Sequence, residues 1–344
     1  MNYGVKTLLV AIGAAAMLVP GVGAAAENAA DYFKGRTINI IVGFGPSGGY
    51  ALYCRQLTTY WPKYIPGNPT VLCQFMPGGG GVKAANYMYN VAPRDGSTLS
   101  MISDYAAVAQ LMQPNKIKYD IREFRWVGIM VPSNPVLAGT NVAKVQKFDD
   151  LFKHELALGV TGRLAQSGIN ASLMNKMLGT KIKIIAGYPS TGKVALAMEG
   201  NEVEATMSSW ISLKARLKQK FESGKFIPLV QVGYKKAWDL PNVPLMRDQA
   251  KNEKARKVLD LASGAAPFGR SVSVPPGFPV HLLAALRTAF DKTMEDKEFR
   301  ATAKKRNIEI DPSPGASLDE VVKDLLSTPP EIVKIAQEAA GIKN

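Results

Sequence analysis

The sequence predicts an α/β fold in two similar halves, each a doubly wound, mostly parallel sheet with flanking helices. Three observations lead to this prediction. Apolar, β-branched runs alternate with helix-like segments along the chain. Polar or glycine-rich loops follow the strands and open the helices in both halves. A connector punctuated by Pro132 and Pro135 separates the halves and marks the first crossing between them.

The first unit shows this pattern most clearly. An apolar run, Ile38–Val42, passes into a glycine-rich turn, and a helix follows over 51–60. Backbone N–H groups at such a helix N-terminus, bare of side chains, can face an anion. The surrounding charge is one-sided, because no Asp or Glu lies between Asp31 and Asp95 whereas six Lys or Arg do. We therefore expect this loop to present its N–H groups to a small anion.

The remaining elements repeat the alternation. In the first half we expect a helix at 82–90 and strands at 70–75, 98–102 and 126–131. In the second half we expect helices at 148–154, 169–178 and 193–199 and strands at 156–159, 183–186, 202–208 and 226–232. After a helix at 255–263, a strand at 268–274 returns the chain to the first half. Further helices follow at 281–296, 297–306, 318–326 and from 330.

The charge of the chain indicates an anionic partner. Its 344 residues carry a net charge of +14, and the pI is about 9.6. Such a balance favours nucleic acid, an acidic membrane surface or a carboxylate ligand. The basic residues are scattered, and the sequence shows no arginine-rich tract, zinc-ligand spacing or aromatic RNA-binding signature. We therefore expect no nucleic-acid partner.

The N-terminus predicts export. Lys6 supplies a positive region, Leu8–Val19 an apolar core and Ala24–Ala26 a small-residue cleavage site. The apolar core is too short and too rich in Ala and Gly for a retained membrane span. We expect residues 1–26 to be a signal peptide cleaved near Ala26, and the mature protein to reside in a bacterial periplasm.

The two cysteines, Cys54 and Cys73, fall on the first helix and on the next strand. A βαβ unit packs these elements near each other, and an exported protein permits a disulfide. Two buried, reduced side chains are the alternative. The sequence leaves both possibilities open.

Two enzymatic hypotheses start from the same glycine loop. Gly43, Gly45 and Gly48 match the spacing of a dinucleotide fingerprint, but the acid expected about 20 residues later is absent. Ser47 lies in a glycine turn like a nucleophile, and an exported hydrolase that uses Ser47 is the alternative function. The chain has two histidines, and no motif supplies a base or a metal site. We expect neither catalysis nor a cofactor.

Polar loops that recur in both halves favour ligand recognition instead. In an open α/β sheet, ligands bind at the loops that follow the carboxyl ends of the strands. Uncharged donors in these loops suit a carboxylate; they are Ser47, Ser103, Thr161, Gln166, Ser167, Ser190 and Thr191. Arg163 either adds a charge-assisted bond or is an ordinary exposed loop residue. The aromatic residues near the strand ends either line the pocket or belong to the core; they are Tyr50, Tyr105, Tyr188 and Trp210.

The chain also resembles a known family over roughly residues 31–330. The segments that carry the resemblance are GFGPSGGYALYCRQL, QFMPGGGGVKAANYMYNVAPRDGSTLSMI, YDIREFRWVG, GYPSTGKVALAMEGNEVEA and SVPPGFPVHLLAALRTAFDKTMEDKEFR. In this order they are similar to the Bug family, the periplasmic solute-binding proteins of tripartite tricarboxylate transporters. The resemblance implies a two-lobed periplasmic binding protein of type II, a Venus flytrap without catalysis that binds a small carboxylate. Lobe one would comprise 31–132 and 258–344, and lobe two 133–257.

The resemblance also implies which loops line the cleft. From lobe one these are Pro46, Ser47, Gly48, Gly49 and Tyr50, with Ser103 and Asp104 at the border. From lobe two they are the loop Thr161–Ser167, with Arg163 and Gln166, and the loop Tyr188–Thr191, with Ser190. Many relatives carry an acid at the position of Ala51. Its absence here predicts a ligand without an amino group.

The same resemblance implies the partners of the protein. They are a small organic acid, the membrane subunits of the transporter and a sensor kinase. Delivery of the ligand to a permease and signalling to the kinase both stay open at this stage. We expect the receptor to be a monomer.

Overall fold

Two mixed β-sheets with helices packed around them form the framework of the protein in the computed structural model, which describes residues 29–342. The predicted signal peptide, 1–26, and its cleavage site lie outside these residues. The alternation of strands and helices confirms the predicted α/β class. None of the helices within the described range is long and apolar enough to cross a membrane.

The elements are named in chain order. The strands are β1 (Thr37–Val42), β2 (Thr70–Phe75), β3 (Thr98–Met101), β4 (Arg125–Ile129), β5 (Pro135–Thr140), β6 (Leu156–Val160), β7 (Ile182–Ala186), β8 (Ala205–Ser209), β9 (Phe226–Gln231), β10 (Ser271–Val274) and β11 (Ser313–Pro314). The helices are α1 (described over 29–33), α2 (Gly49–Tyr60), α3 (Val82–Asn90), α4 (Ala106–Met112), α5 (Gln166–Leu173), α6 (Thr191–Glu199), α7 (Trp210–Glu222), α8 (Glu253–Ser263), α9 (Val280–Glu295), α10 (Lys297–Lys305), α11 (Ser317–Leu326) and α12 (Pro330–Ala339).

The strands divide into two sheets. Within the described residues, sheet A has the order β11-β4-β10-β3-β1-β2, and sheet B has the order β7-β6-β8-β5-β9. We call the part of the chain that carries sheet A lobe one and the part that carries sheet B lobe two. In sheet A β1 is parallel to β2 and β3, and in sheet B β6 is parallel to β7 and β8. The antiparallel strands β5 and β10 are the first strands after each crossing between the lobes.

Burial explains why the β1–α2 unit forms. Ile40 and Val42 of β1 are fully buried, as are Tyr53 and Leu57 on the inner face of α2. A strand that is buried on both faces has a continuous apolar sequence, and this pattern predicted β1. Because α2 begins directly after the glycine turn, its N-terminus opens toward the gap between the lobes.

The two crossings between the lobes run side by side. Segment 130–134 leads from β4 to β5, and segment 264–270 leads from α8 to β10. Backbone hydrogen bonds join them: the Met130 N–H donates to the Arg270 carbonyl, and the Arg270 N–H donates to the Val131 carbonyl, both at 2.9 Å. The crossings therefore form a short two-stranded connection rather than two separate linkers.

Gly269 makes this close connection possible. Its φ is +39°, and a Cβ atom at this position would lie 1.9 Å from the carbonyl oxygen of Val131. Any other residue would push the crossings apart. The connection is thus defined by packing as well as by hydrogen bonds.

The lobe boundaries stay a prediction. The boundary at 132/133 lies in the first crossing, whereas the boundary at 257/258 falls inside α8. Because a continuous helix moves as one unit, the structure favours a crossing after the helix, at 264–270.

Helices α4 and α7 are not among the predicted elements, and β5 begins at Pro135, the last residue of the predicted connector. Helix α4 is short, rich in alanine and buried on nearly every residue, so it has no amphipathic pattern. Strand β5 is buried throughout and starts at Pro135, which the analysis assigned to the connector. Helix α7 did offer a signal. Its apolar residues recur at helical spacing and pack together; they are Trp210, Leu213, Leu217 and Phe221.

A disulfide joins Cys54 on α2 to Cys73 on β2. The side chain of Cys54 is fully buried, and the two Cα atoms are 6.2 Å apart. The bond ties the helix that opens at the cleft to the edge strand of sheet A. Of the two possibilities that the sequence leaves open, the structure contains the bridge.

Removal of this disulfide is expected to destabilise the protein by about 3 kcal/mol, because the bridge restricts the unfolded chain. The measurement compares the thermal melting of the wild type and the Cys54→Ala/Cys73→Ala variant, each with and without a reductant. We expect the wild type to lose melting temperature on reduction and the variant to be insensitive to it. Two titratable thiols in unreduced, denatured wild-type protein would contradict the bridge.

Candidate ligand-binding cleft

A cavity of about 210 Å³ lies between the two sheets. Its walls come from the loops that follow β1, β3, β6 and β7, from Gly79–Gly81 after β2, and from the start of α7. These loops stand at the carboxyl ends of strands, where open α/β sheets bind ligands. A cavity of this size suits a small organic molecule.

Most of the predicted binding residues meet in this cavity. Those that line it are Gly48, Gly49, Tyr50, Ser103, Asp104, Thr161, Gln166, Ser167 and Thr191. They come from both lobes and line one cavity. Their contact with a ligand stays a prediction.

The other predicted residues lie outside the cavity, and they are Pro46, Ser47, Arg163, Tyr188 and Ser190. Ser47 lines a second cavity on the outer side of α2. The Tyr188 hydroxyl donates to the Glu202 carboxylate at 2.6 Å, and the Ser190 hydroxyl caps α6 by accepting from the Lys193 N–H. The sequence predicted the loops, but the direction of each side chain depends on the turn geometry.

The acid position at Ala51 and the two histidines, on which other hypotheses depend, do not line the cleft. Ala51 is fully buried on α2 and does not line the cavity, so the structure gives it no contact with a ligand there. His154 and His281 are exposed, and neither lines the cleft or the second cavity. Ser47 therefore has no imidazole beside it among the described residues. Within 29–342, no group of three or more His, Cys, Asp or Glu side chains could hold a metal ion.

Helix N-termini supply the main attraction for an anion. Helices α2, α5, α6 and α7 begin at or beside residues that line the cavity. Free N–H groups and the positive end of the helix dipole favour negative charge at such a position. In the part of the chain that the structure describes, no acidic side chain lies in the first turn of these helices, and no side chain caps α2 or α5. Their N–H groups are thus available to a ligand.

Two buried side-chain atoms add donors to this set. The Gln166 Nε2 atom and the Tyr105 hydroxyl have no hydrogen-bond partner among the described residues. A buried polar group without a partner costs about 1–3 kcal/mol. Burial holds the pKa of Tyr105 well above its ordinary value, so its hydroxyl stays protonated and can donate. A ligand that accepts from both groups would remove this cost.

The charged side chains that line the cavity are Asp104, Arg216 and Arg270. Arg270 is 2% exposed, and its Nη1 atom lies 3.5 Å from the Asp104 Oδ2 atom. One acid thus faces two arginines, which leaves an excess of positive charge at the cavity. This excess favours an anionic ligand.

The Arg270 guanidinium links the two lobes. Arg270 precedes β10 of lobe one, and its Nη2 atom donates to the hydroxyls of Ser209 at 2.7 Å and Ser212 at 3.0 Å. These serines lie at the end of β8 and the start of α7 in lobe two. The same guanidinium therefore forms the floor of the cleft and holds the lobes together beside the crossings.

Aromatic residues hold this floor in place. The guanidinium carbon of Arg270 lies 4.0 Å from the centroid of the Tyr50 ring, which stacks on Phe44 at 4.5 Å. The Tyr50 hydroxyl accepts from the Asp104 N–H at 2.7 Å. Burial raises the pKa of Tyr50, and it also raises the pKa of Asp104 although Arg270 opposes that shift.

Four residues at the cleft were not predicted from the sequence: Arg216, Arg270, Ser209 and Ser212. Ser209 ends β8, and Ser212 and Arg216 lie on α7, a helix that was not predicted. For Arg270 a signal was present, because it is a charged residue inside a predicted apolar strand, 268–274. A buried arginine requires partners, and such a position indicates a specific role.

Replacement of Arg270 by Met is expected to destabilise the protein by about 3–5 kcal/mol near neutral pH, because Asp104 then stays buried without its counter-charge. Without the arginine, the pKa of Asp104 rises further and the folded state retains a proton that the unfolded state has lost. Stability of the variant therefore falls as the pH rises above the ordinary pKa of an aspartate. Urea unfolding at mildly acidic and at neutral pH should show the smaller loss at the acidic pH.

Two comparison variants give this prediction its controls. Arg270→Met with Asp104→Asn should recover part of the lost stability, because the buried charge is gone. Arg163→Met, which changes an exposed arginine beside the cleft, should alter stability by less than about 0.5 kcal/mol. Equal losses in the Arg270 and Arg163 variants would show that the buried pair is unimportant.

Fold and cleft together define a class: a two-lobed solute-binding protein that encloses a small ligand between α/β lobes. A family model described as the tripartite tricarboxylate transporter family receptor matches residues 61–335. The chain belongs to this family. This confirms the resemblance seen in the sequence and the prediction that the protein is a receptor and not an enzyme. No curated protein sequence matches the chain.

Solved structures share the fold. The periplasmic binding protein BugD is 18% identical with a TM-score of 0.66, and the match covers 90% of this chain and 98% of that one. Rpa4515 from R. palustris, solved with adipate, is 17% identical with a TM-score of 0.66 over 89% and 98%. MatC (Rpa3494) from Rhodopseudomonas palustris, with bound malate, is 17% identical with a TM-score of 0.62 over 89% and 99%. These likenesses confirm the two-lobed architecture.

Proposed function

We propose that the protein captures a small organic carboxylate in the cleft and delivers it to the membrane subunits of a tripartite tricarboxylate transporter. The observation that carries this proposal is the meeting of uncapped helix N-termini with an excess of positive charge at one small cavity. The family supports the transporter partner. Adipate and malate, the ligands named for two structures of the same fold, are both carboxylates.

Binding would work by movement of the lobes about the paired crossings. The proposed lobes are 31–132 with 258–344 and 133–257. The change would be absorbed near 131–135 and, because 257–263 of the predicted segment 257–268 belongs to α8, at 264–268. The lobes touch closely at the cleft, because a Cβ atom on Gly49 would lie 2.1 Å from the Ser212 Oγ atom. The Gln113 side chain also reaches across and donates to the Leu164 carbonyl at 3.2 Å.

A cluster of polar contacts links the lobes near the crossings. Glu309, which follows α10 of lobe one, accepts from the Lys214 ammonium and from the Trp238 indole N–H of lobe two. Lys214 also contacts Asp239 at 2.6 Å. These contacts would bias the angle between the lobes and so the balance between open and closed receptor.

Location and further partners complete the proposal. We expect a periplasmic protein whose signal peptide is cleaved near Ala26, in keeping with the family. The receptor would act as a monomer, and a sensor kinase would be a second partner that reads the closed state. No cofactor enters this function.

Gln166→Glu is expected to weaken carboxylate binding at least tenfold, or about 1.4 kcal/mol. The substitution preserves shape but places a negative charge in the cleft, where it repels the ligand. The measurement is isothermal titration with carboxylates first selected from a panel by their effect on the melting temperature, since a ligand at 100 times its Kd adds about 2.7 kcal/mol.

Gln219→Glu is the matched control, because it makes the same change at an exposed site on α7. We expect it to bind like the wild type. If no carboxylate raises the melting temperature while Ser47 reacts with a serine-directed probe, the receptor function is refuted in favour of the hydrolase.

A further inference from the structure

The positive charge of the chain extends well beyond the cleft. The net charge is +14, whereas the charged residues that line the cleft are two arginines and one aspartate. At physiological salt a ligand in the cleft is screened from exposed charges more than about 8 Å away. The remaining charge is therefore free to act on a larger anionic partner, and its position on the surface indicates which one.

Much of this charge lies on one surface, which we call the basic face. It is formed by α2 and α10 of lobe one, and by α7 and the loop after β9 of lobe two. Its cations are Arg55, Lys214, Lys218, Lys235, Lys236, Lys304, Lys305 and Arg306. Its acids are Glu222, Asp239, Glu309 and Asp311. Positive charge is thus in excess on this face.

Contacts between the lobes place these residues on one surface. The Lys218 Nζ atom lies 3.5 Å from the Oδ1 atom of Asn307, so α7 meets the end of α10 there. Arg306, the residue before Asn307, lines the second cavity together with Arg55. The face therefore continues from α7 over the end of α10 to α2.

A third cavity connects the loop after β9 to the same surface. Lys235, Lys236 and Trp238 line it together with Glu309, which follows α10. The Lys214 ammonium contacts Glu309 and lies 5.5 Å from the centroid of the Trp238 ring. The basic face thus spans both lobes.

The acids of the face leave most of its cations unpaired. Glu309 and Asp239 both contact Lys214, and Glu222 lies 3.6 Å from Lys218. In the described part of the chain, the ion pairs involve none of the other six cations of the face. Their charge is available to a partner.

Trp238 is exposed within this face. Its side chain is 77% exposed, whereas the other three tryptophans of the chain are at most 6% exposed. The indole N–H donates to the Glu309 carboxylate at 2.9 Å, which fixes the ring at the surface. Tyr234, also exposed, lines the same cavity. Aromatic rings with one polar end favour the headgroup level of a membrane.

Unpaired basic residues around an exposed tryptophan suit an anionic membrane surface. Electrostatic attraction to anionic lipid and burial of apolar area add to each other at such a surface. An acidic protein would satisfy the charges, but it gives no reason for a tryptophan held in solvent among them. We therefore infer that the basic face docks on anionic phospholipid, with Trp238 at the level of the headgroups.

This inference goes beyond the proposed function, because it concerns a surface outside the cleft and requires no bound carboxylate. Docking by this face would place both lobes next to a membrane. The membrane subunits of the proposed transporter lie in such a membrane, so docking would shorten the search of the receptor for its partner.

The test measures binding of the ligand-free, mature protein to vesicles. The vesicles contain phosphatidylcholine alone, or phosphatidylcholine and phosphatidylglycerol in equal parts, and bound protein is measured by sedimentation. A second series carries brominated acyl chains, which quench tryptophan fluorescence at short range. Because the other three tryptophans are buried, quenching reports on Trp238.

We expect the wild type to bind the anionic vesicles at least tenfold more tightly than the neutral ones, a difference of about 1.4 kcal/mol. Bound protein should show quenched fluorescence. Binding should be lost in 1 M salt, where the screening length falls to about 3 Å.

The variant Lys218→Gln/Lys235→Gln/Arg306→Gln removes three cations of the face, and none of them lines the cleft. It should bind the anionic vesicles at least tenfold more weakly than the wild type. Its matched control is Lys116→Gln/Lys118→Gln/Lys153→Gln, which removes the same charge at exposed positions beside α3 and the start of β7. The control should bind within about twofold of the wild type.

A further variant, Trp238→Gln, removes the ring but keeps an amide donor for Glu309. It should bind the anionic vesicles more weakly and show no quenching. Thermal melting without vesicles checks that each variant is folded.

Equal binding to neutral and anionic vesicles, or to neither, would overturn the inference. Equal losses in the two triple variants would also overturn it, because net charge and not the face would then decide. Binding without quenching would show that Trp238 does not reach the lipid. Binding to polyglutamate but not to the vesicles would assign the face to an acidic protein. Each of these results leaves the proposed capture of a carboxylate intact.

Discussion

The arrangement of the two lobes depends on one buried guanidinium. Arg270 leaves the second crossing, lies against the Tyr50 ring and donates to two serines of lobe two. A charge that is 98% withdrawn from water needs partners on several sides. Here those partners come from both lobes, so the requirement to satisfy one side chain fixes the floor of the cleft where the crossings meet. The loops that line the cavity stand around this floor.

Two kinds of positive potential act at the site. Inside the cleft the attraction comes from helix N-termini, which are fixed by the backbone and cost nothing to orient. Arg270 contributes little net charge, because Asp104 lies beside it. Arg216 is exposed, so salt can screen its charge. The cleft therefore favours a small anion through its donors and its positive charge.

The two crossings between the lobes are held to each other. Hydrogen bonds between 130–134 and 264–270, together with Gly269, hold the two segments as one connection. The contacts of Glu309 with lobe two lie near this connection, and the Gln113 bond lies at the cavity. Opening of the lobes would separate these contacts and the bonds of Arg270 to Ser209 and Ser212. The tightly packed sheets on either side would move as rigid units.

The sequence by itself determined the α/β class, most strand and helix positions and the loops that build the cleft, because these follow from local periodicity and from glycine and proline turns. Strand β5 and helix α4 were not predicted, because elements that are buried on all sides lack a periodic alternation of apolar and polar residues. Only the tertiary structure decided which side chains point inward: Tyr50 and Gln166 do, whereas Tyr188 and Ser190 make local contacts. The role of Arg270 likewise emerged only there, because its partners are distant in sequence and meet it through the packing of two lobes.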